Sequence, residues 1–168
     1  MFDAAHIHVM IVHLPIIGTV LAMIPLLWGI LKNDSSVKWI GLVILVISII
    51  GIPISTSSGE GAEHAFFDGS MNTELDDTGK EILEIHSEAA ELAEGFGFFI
   101  GALIVLQLIF WKREYTWKHR LFWITVIANA LLILGLGYVG YLGGQIRHPE
   151  FRSNVVSSTN TTLPNIAQ

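Results

Sequence analysis

The chain has 168 residues, 52% of them hydrophobic and only 14% charged, with a mean hydropathy of +0.59 and a formal net charge of −6. That profile excludes an ordinary soluble domain, in which roughly a quarter of residues are charged. No basic stripe suits nucleic acid. With no cysteine, there are no disulfides, thiolate ligands or covalently attached c-type haem.

Four apolar stretches follow in order, at about 9–31, 37–58, 92–111 and 121–144. Each is near the ~20 residues that carry a helix across ~30 Å of hydrocarbon. The start, MFDAAHIH, lacks a basic n-region, and no small-residue cleavage site follows the first stretch. That stretch is expected to remain as a helix. Pro15 and Pro25 lie inside it and Pro53 inside the second, as membrane helices tolerate with local kinks. A turn is expected around 67–73, with Gly69 and Asn72. Asp76, Asp77 and Thr78 then read as a helix start, and the third helix continues through Glu81–Glu94 into its apolar stretch. Residues 153–168 are polar and aperiodic, a flexible tail. The expected fold is all-α: an up-down four-helix membrane bundle over 1–152, with helices at about 9–31, 37–58, 76–111 and 117–148.

Charge orients the bundle. Six of the nine basic residues (Lys32, Lys38, Lys112, Arg113, Lys118, Arg120) flank the loops after the first and third stretches. The positive-inside rule makes that side cytoplasmic, and the headgroup-anchoring indoles of Trp28, Trp39, Trp111, Trp117 and Trp123 share it. Both termini and the 59–85 loop are then outside, and the chain is expected in a bacterial inner membrane as a multi-pass protein.

Six of the seven histidines fall at the opposite, outer end: His6, His8, His13, His64, His86 and His148. Counting ~1.5 Å per residue from the basic end places His13 near the hydrocarbon edge, His8 about 6 Å beyond it, and the other four about 9–12 Å beyond it. Imidazole binds metals and haem iron, so one shared site is expected there. A lone histidine at an interface can simply hydrogen-bond water or headgroups; six on one side make that account harder to sustain.

Glycines and small residues lead toward these histidines. His86, Ala90, Ala93, Gly97 and Gly101 follow helical spacing, as do Gly137, Gly140, Gly144 and His148. Gly51, Ser55 and Ser58 precede His64. Such faces allow close helix packing or a flat macrocycle beside the backbone. One expectation is therefore b-type haem, held by His13 with His86 or His64 with His148, with Arg147 and Arg152 near the propionates. The alternative is a bare copper, zinc or iron ion, drawn from His6, His8, His13, His64, His86 and His148 with Glu60, Glu63 and Glu88. Acids on a helix can also be a solvated face, the better account of Glu81 and Glu84. A third reading is a structural subunit of a respiratory complex, whose histidines serve docking or pH response. Asn129 and Gln107 are expected to make interhelical hydrogen bonds. There is no HExxH motif and no nucleophile elbow, so hydrolytic chemistry has no support.

Three motifs carry a resemblance. His8-Val-Met-Ile-Val-His13-Leu-Pro15 resembles an "HPxxVHFP" signature. Gly59-Glu60-Gly61-Ala62-Glu63-His64 with Ile85-His86-Ser87-Glu88-Ala89-Ala90-Glu91 resembles "GxxAE … HxxxA". Tyr138-Val-Gly140-Tyr-Leu-Gly143-Gly144 resembles "GYLGG". Together they resemble a bacterial membrane family catalogued as domain of unknown function 2231. The resemblance implies a four-helix inner-membrane protein found beside cytochromes or other respiratory subunits. Val9 stands where that family has proline, and Pro149-Glu150 follow His148 where it often has His-Gly.

Overall fold

Apolar composition drives four helices that overshoot the hydrocarbon at one end. In a computed structural model, which describes residues 4–67, 75–110 and 117–152, they are α1 (Ala4–Leu31), α2 (Ser35–Phe67), α3 (Asp77–Ile109) and α4 (Trp117–Arg147), followed by a single 3-10 turn, Pro149–Phe151. Each contains an apolar window of mean hydropathy 2.0–2.4, long enough to cross a bilayer. The expected all-α four-helix bundle is the observed one, and the protein is a multi-pass membrane protein.

Local chemistry sets the helix ends. Asn33 takes a left-handed conformation (φ 50°) in the tight turn between α1 and α2, a conformation asparagine tolerates. The Asp34 carboxylate accepts from the N–H groups of Ser36 (2.8 Å) and Val37 (3.3 Å) and starts α2. The Asp76 carboxylate accepts from the Gly79 N–H at 3.1 Å and caps α3, as its sequence signal predicts.

Two helix boundaries differ from expectation. The first helix begins at Ala4 rather than near residue 9, so His6, His8 and His13 are all helical. The second runs to Phe67 rather than ending near residue 58. Helical hydrogen bonding continues through Gly59 and Gly61, where the glycine propensity cost is only about 1 kcal/mol each, and it places Glu60, Glu63 and His64 on a helix. The third and fourth helices keep their expected limits within two residues. The expected turn at 67–73 lies almost wholly, and the tail at 153–168 entirely, outside the described residues.

The helices form a ring in chain order. α1 packs along α2 and α3 along α4. These two hairpins meet through narrower α2–α3 and α1–α4 contacts. The core holds Leu26, Leu42, Leu45, Ile100, Ile104 and Leu132, while Ile24, Leu92, Phe98, Ile127 and Leu134 point outward. Large apolar side chains on the outside of every helix are what a lipid solvent permits. At Gly41 an added Cβ would meet the Leu26 backbone nitrogen at 2.9 Å, so glycine there permits the tight α1–α2 contact. Two buried polar links cross the interior, as expected of these residues. Gln107 donates to the Thr125 hydroxyl (2.6 Å) between α3 and α4, and Asn129 donates to the Thr19 carbonyl (3.1 Å) between α4 and α1.

Candidate functional site

Two of the six histidines at the end away from the tryptophans come together. His8 on α1 and His86 on α3 meet across the diagonal of the bundle with ring centroids 6.5 Å apart and planes at 87°. They are level: His8 stands 23 residues before Leu31 and His86 stands 23 residues before Ile109. At 1.5 Å per residue that is about 34 Å from the tryptophan-rich end, just past a ~30 Å hydrocarbon core.

Each ring is fixed by its own hairpin. His8 Nδ1 lies 3.0 Å from the Ser55 carbonyl and 3.1 Å from Ser58 Oγ, both on α2. The Ser58 hydroxyl spends its proton on the Ser55 carbonyl (2.8 Å), so its oxygen is free to accept. His86 Nδ1 lies 3.0 Å from the Val139 carbonyl on α4. A carbonyl can only accept, so Nδ1 donates in both rings. In the neutral imidazole, Nε2 is then the lone-pair nitrogen. Metal-binding histidines are commonly oriented in this way.

Glycine makes room for both rings. A Cβ on Gly59 would sit 3.0 Å from His8 Cε1, and one on Gly143 would sit 3.2 Å from His86 Cε1. The small residue of α4 that faces a histidine is therefore Gly143, not Gly144, whose added Cβ would meet nothing within 4 Å. Gly137 and Gly101 are equally open, while Gly97 receives the Ile52 side chain and Gly51 receives Leu14 and Pro15. Thus Gly51 and Gly97 serve helix packing, Gly59 and Gly143 accommodate the imidazoles, and Gly101, Gly137 and Gly144 do neither.

Beside the pair lies a cavity of about 210 Å³. His8, His86, Glu60, Glu63 and Glu91 line it, with Phe66, Leu83 and Ile146 among its apolar wall, and among the described residues no Lys or Arg lines it. Glu63 is half-buried; Glu60 and Glu91 are exposed. The cavity thus presents imidazole nitrogens and carboxylate oxygens, which suit a cation. Among the described residues, no three His, Asp or Glu side chains stand close enough to hold one metal ion jointly.

The remaining candidates lie elsewhere. His13 is exposed, with Nδ1 2.7 Å from the Val9 carbonyl of its own helix. The histidine against His86 is His8, so the expected pairing of His86 with His13 is not the contact that forms. His6 and His64 are exposed on α1 and α2, and Glu88 is exposed on α3. His148, also exposed, bonds Glu150 at 2.9 Å and packs on Phe151. That bond, after the carboxylate's own backbone N–H, holds the Glu150 carboxyl below its usual range. Arg147 ends α4.

Arg152 has a structural task instead of a free guanidinium. Its Nε donates to the Gln145 carbonyl (2.8 Å), Nη2 to Ile146 (2.7 Å) and Nη1 to Asp76 (2.6 Å). It therefore covers the last carbonyls of α4 and joins them to the cap of α3. The bond from Arg152 holds the Asp76 carboxyl below the ordinary carboxylate range.

The sequence motifs include Gly143 and Glu91 but do not assign them, or the Val139 carbonyl, to the site. The 55–59–63 spacing of Ser55, Gly59 and Glu63 on one face becomes visible once α2 is known to continue past residue 58. Comparison with known protein families, curated proteins and solved structures found no match to this chain.

Proposed function

We propose that this is a bacterial inner-membrane protein that binds a transition-metal cation at its periplasmic face, through Nε2 of His8 and of His86. The observation that carries the reading is the shared tautomer. Both rings give Nδ1–H to a backbone carbonyl and line one cavity bordered by carboxylates and, among the described residues, by no Lys or Arg. Such a site is complementary to a cation, and imidazole nitrogen selects zinc, copper or iron over calcium or magnesium. The periplasmic assignment rests on the distribution of basic residues.

Haem b is the second reading. Two imidazoles on opposite sides of one metal hold their centroids about 6 Å apart, given metal–nitrogen bonds of ~2.0 Å, and the observed separation is 6.5 Å. The fit is otherwise poor. At about 210 Å³ the cavity is below the ~300–1,000 Å³ of pockets for drug-sized ligands. Ile52 fills the face at Gly97, and Arg152 is committed to Asp76 and α4. A redox role beside cytochromes or other respiratory subunits would follow only from a redox-active ion, and a purely structural subunit would need none.

Metal analysis of the purified full chain tests the proposal, alongside His8→Ala/His86→Ala. The expected result is a near-stoichiometric transition metal in the wild type, lost in the double variant, without a Soret band. Equal metal content in both proteins would overturn it; a Soret band that disappears in the double variant would establish the haem reading instead.

A further inference from the structure

We infer that Glu63 supplies the third ligand, making the site a two-histidine, one-carboxylate centre for a divalent cation of the zinc class. The inference rests on the proposed metal reading and adds one residue and one charge to it.

Three observations single out Glu63 among the acids near the pair. First, Ser55, Gly59 and Glu63 recur every four residues on α2 and so share one face. The His8 ring bonds Ser55 and lies against Gly59, so this is the face that meets it. Second, helical side chains lean toward their helix N-terminus. The α2 N-terminus is at the far end of the bundle, so Glu63, one turn beyond Gly59, leans back toward the histidine layer. Third, Glu63 is half-buried in the cavity wall, whereas Glu60 and Glu91 are exposed. Glu60 follows Gly59 directly, about 100° around the helix. Glu91 is five residues from His86, well off the His86 face. Glu88 does not line the cavity.

Among the described residues no three such groups converge; coordination by Glu63 would require rotation about its own side-chain bonds. Two neutral imidazoles and one carboxylate leave a divalent ion with a single net positive charge. They also leave a fourth position for water, the ligand count of His₂Glu zinc sites.

The test uses the full chain in detergent or nanodiscs, with Zn²⁺ affinity measured by competition against a chromophoric chelator and with Co²⁺ as a visible-absorption probe. Glu63→Gln should weaken Zn²⁺ by at least the ~10–100-fold that loss of a mere outer partner costs, and should alter the Co²⁺ bands. Glu63→Asp should fall between it and wild type, and serves if the glutamine variant does not fold. Glu60→Gln, Glu88→Gln and Glu91→Gln should stay within about threefold of wild type, well short of that outer-partner loss. Wild-type affinity and spectra in Glu63→Gln, with Zn²⁺ binding abolished in His8→Ala/His86→Ala, would overturn the assignment of Glu63 and leave the two-histidine site standing. Zn²⁺ binding that survives the double histidine variant would overturn both.

Discussion

His8 and His86 meet at 87° across the diagonal of the bundle, each held by a hydrogen bond within its own hairpin. The contact therefore joins two preassembled halves rather than two loose side chains. α1–α2 and α3–α4 are the broad contacts, and the two hairpins meet through narrower ones. An ion between the rings would clamp the hairpins together.

This geometry predicts energetic coupling between the two histidines. Each ring bond to a carbonyl is worth about 0.5–1.5 kcal/mol. In chelator-treated protein, His8→Ala and His86→Ala should each lower unfolding stability by about that amount, with a coupling of at least ~0.5 kcal/mol between contacting side chains. Saturating Zn²⁺ should stabilise the wild type by about 2.7 kcal/mol at a hundred times its dissociation constant and leave the double variant unchanged. A double-mutant cycle followed by denaturation in detergent measures both. Strict additivity with and without metal would count against the clamp.

Neighbouring glycines should behave oppositely. Gly143→Ala puts a methyl 3.2 Å from His86 Cε1, and Gly59→Ala puts one 3.0 Å from His8 Cε1. Both rings must yield by a few tenths of an ångström and strain their bonds to Val139 and Ser55. Gly144→Ala meets nothing within 4 Å, so it should gain about 0.5–1 kcal/mol of helix stability. The expected order of Zn²⁺ affinity is Gly144→Ala equal to wild type, with Gly143→Ala and Gly59→Ala weaker. Chelator competition reads it directly, and a weakened Gly144→Ala would show that the facing glycine has been misassigned.

The Asp76–Arg152 pair sets an acid limit on the α3–α4 end. Its folded-state carboxyl lies below the ordinary value, chiefly through the bond from Arg152. The contribution is therefore fully present above the unfolded Asp value of about 3.9 and disappears as pH falls through the lower folded value. Asp76→Asn retains a good helix cap but loses the ion pair. Melting temperature measured from pH 6 to pH 3 should fall more in wild type than in Asp76→Asn, with the two curves converging in acid. Glu150 is present in both proteins, so its own titration cancels. Parallel curves would mean that the ion pair contributes nothing.

Much of the fold was legible because bilayer thickness and apolar run length are tied together. Pattern also reached the Asp76 cap and the links through Asn129 and Gln107, where a polar residue in an apolar run has few other uses. The pairing of histidines was not legible. Level counting grouped His6, His64, His86 and His148 and set His13 deeper, but it reports depth and not the angle around each helix. That angle depends on where α1 begins and α2 ends, and both helices extend further than the apolar runs show. Extending α1 back to Ala4 makes His8 helical, and continuing α2 through Gly59 supplies the face it meets.

The buried amide at Asn129 gives a final test, in the middle of the membrane. Asn129 is fully buried, 12 residues into α4 from Trp117, or about 18 Å along a helix that crosses some 30 Å. Its Nδ2 donates to the Thr19 carbonyl, while its Oδ1 accepts no bond from the described residues. Interhelical hydrogen bonds in membranes average only ~0.6 kcal/mol, and an unsatisfied buried acceptor costs about 1–3 kcal/mol. Losing both together should nearly cancel, so Asn129→Leu is expected within about 1 kcal/mol of wild type. Asn129→Asp keeps the shape, removes the donor and adds charge, and should lose the ~2.5–3.5 kcal/mol typical of an acidic side chain near mid-membrane. Denaturant titration of the reconstituted protein, followed by tryptophan fluorescence, compares the two. A loss above about 2 kcal/mol in Asn129→Leu would mean that Oδ1 is paired after all, and that this amide holds α1 to α4 with both of its ends.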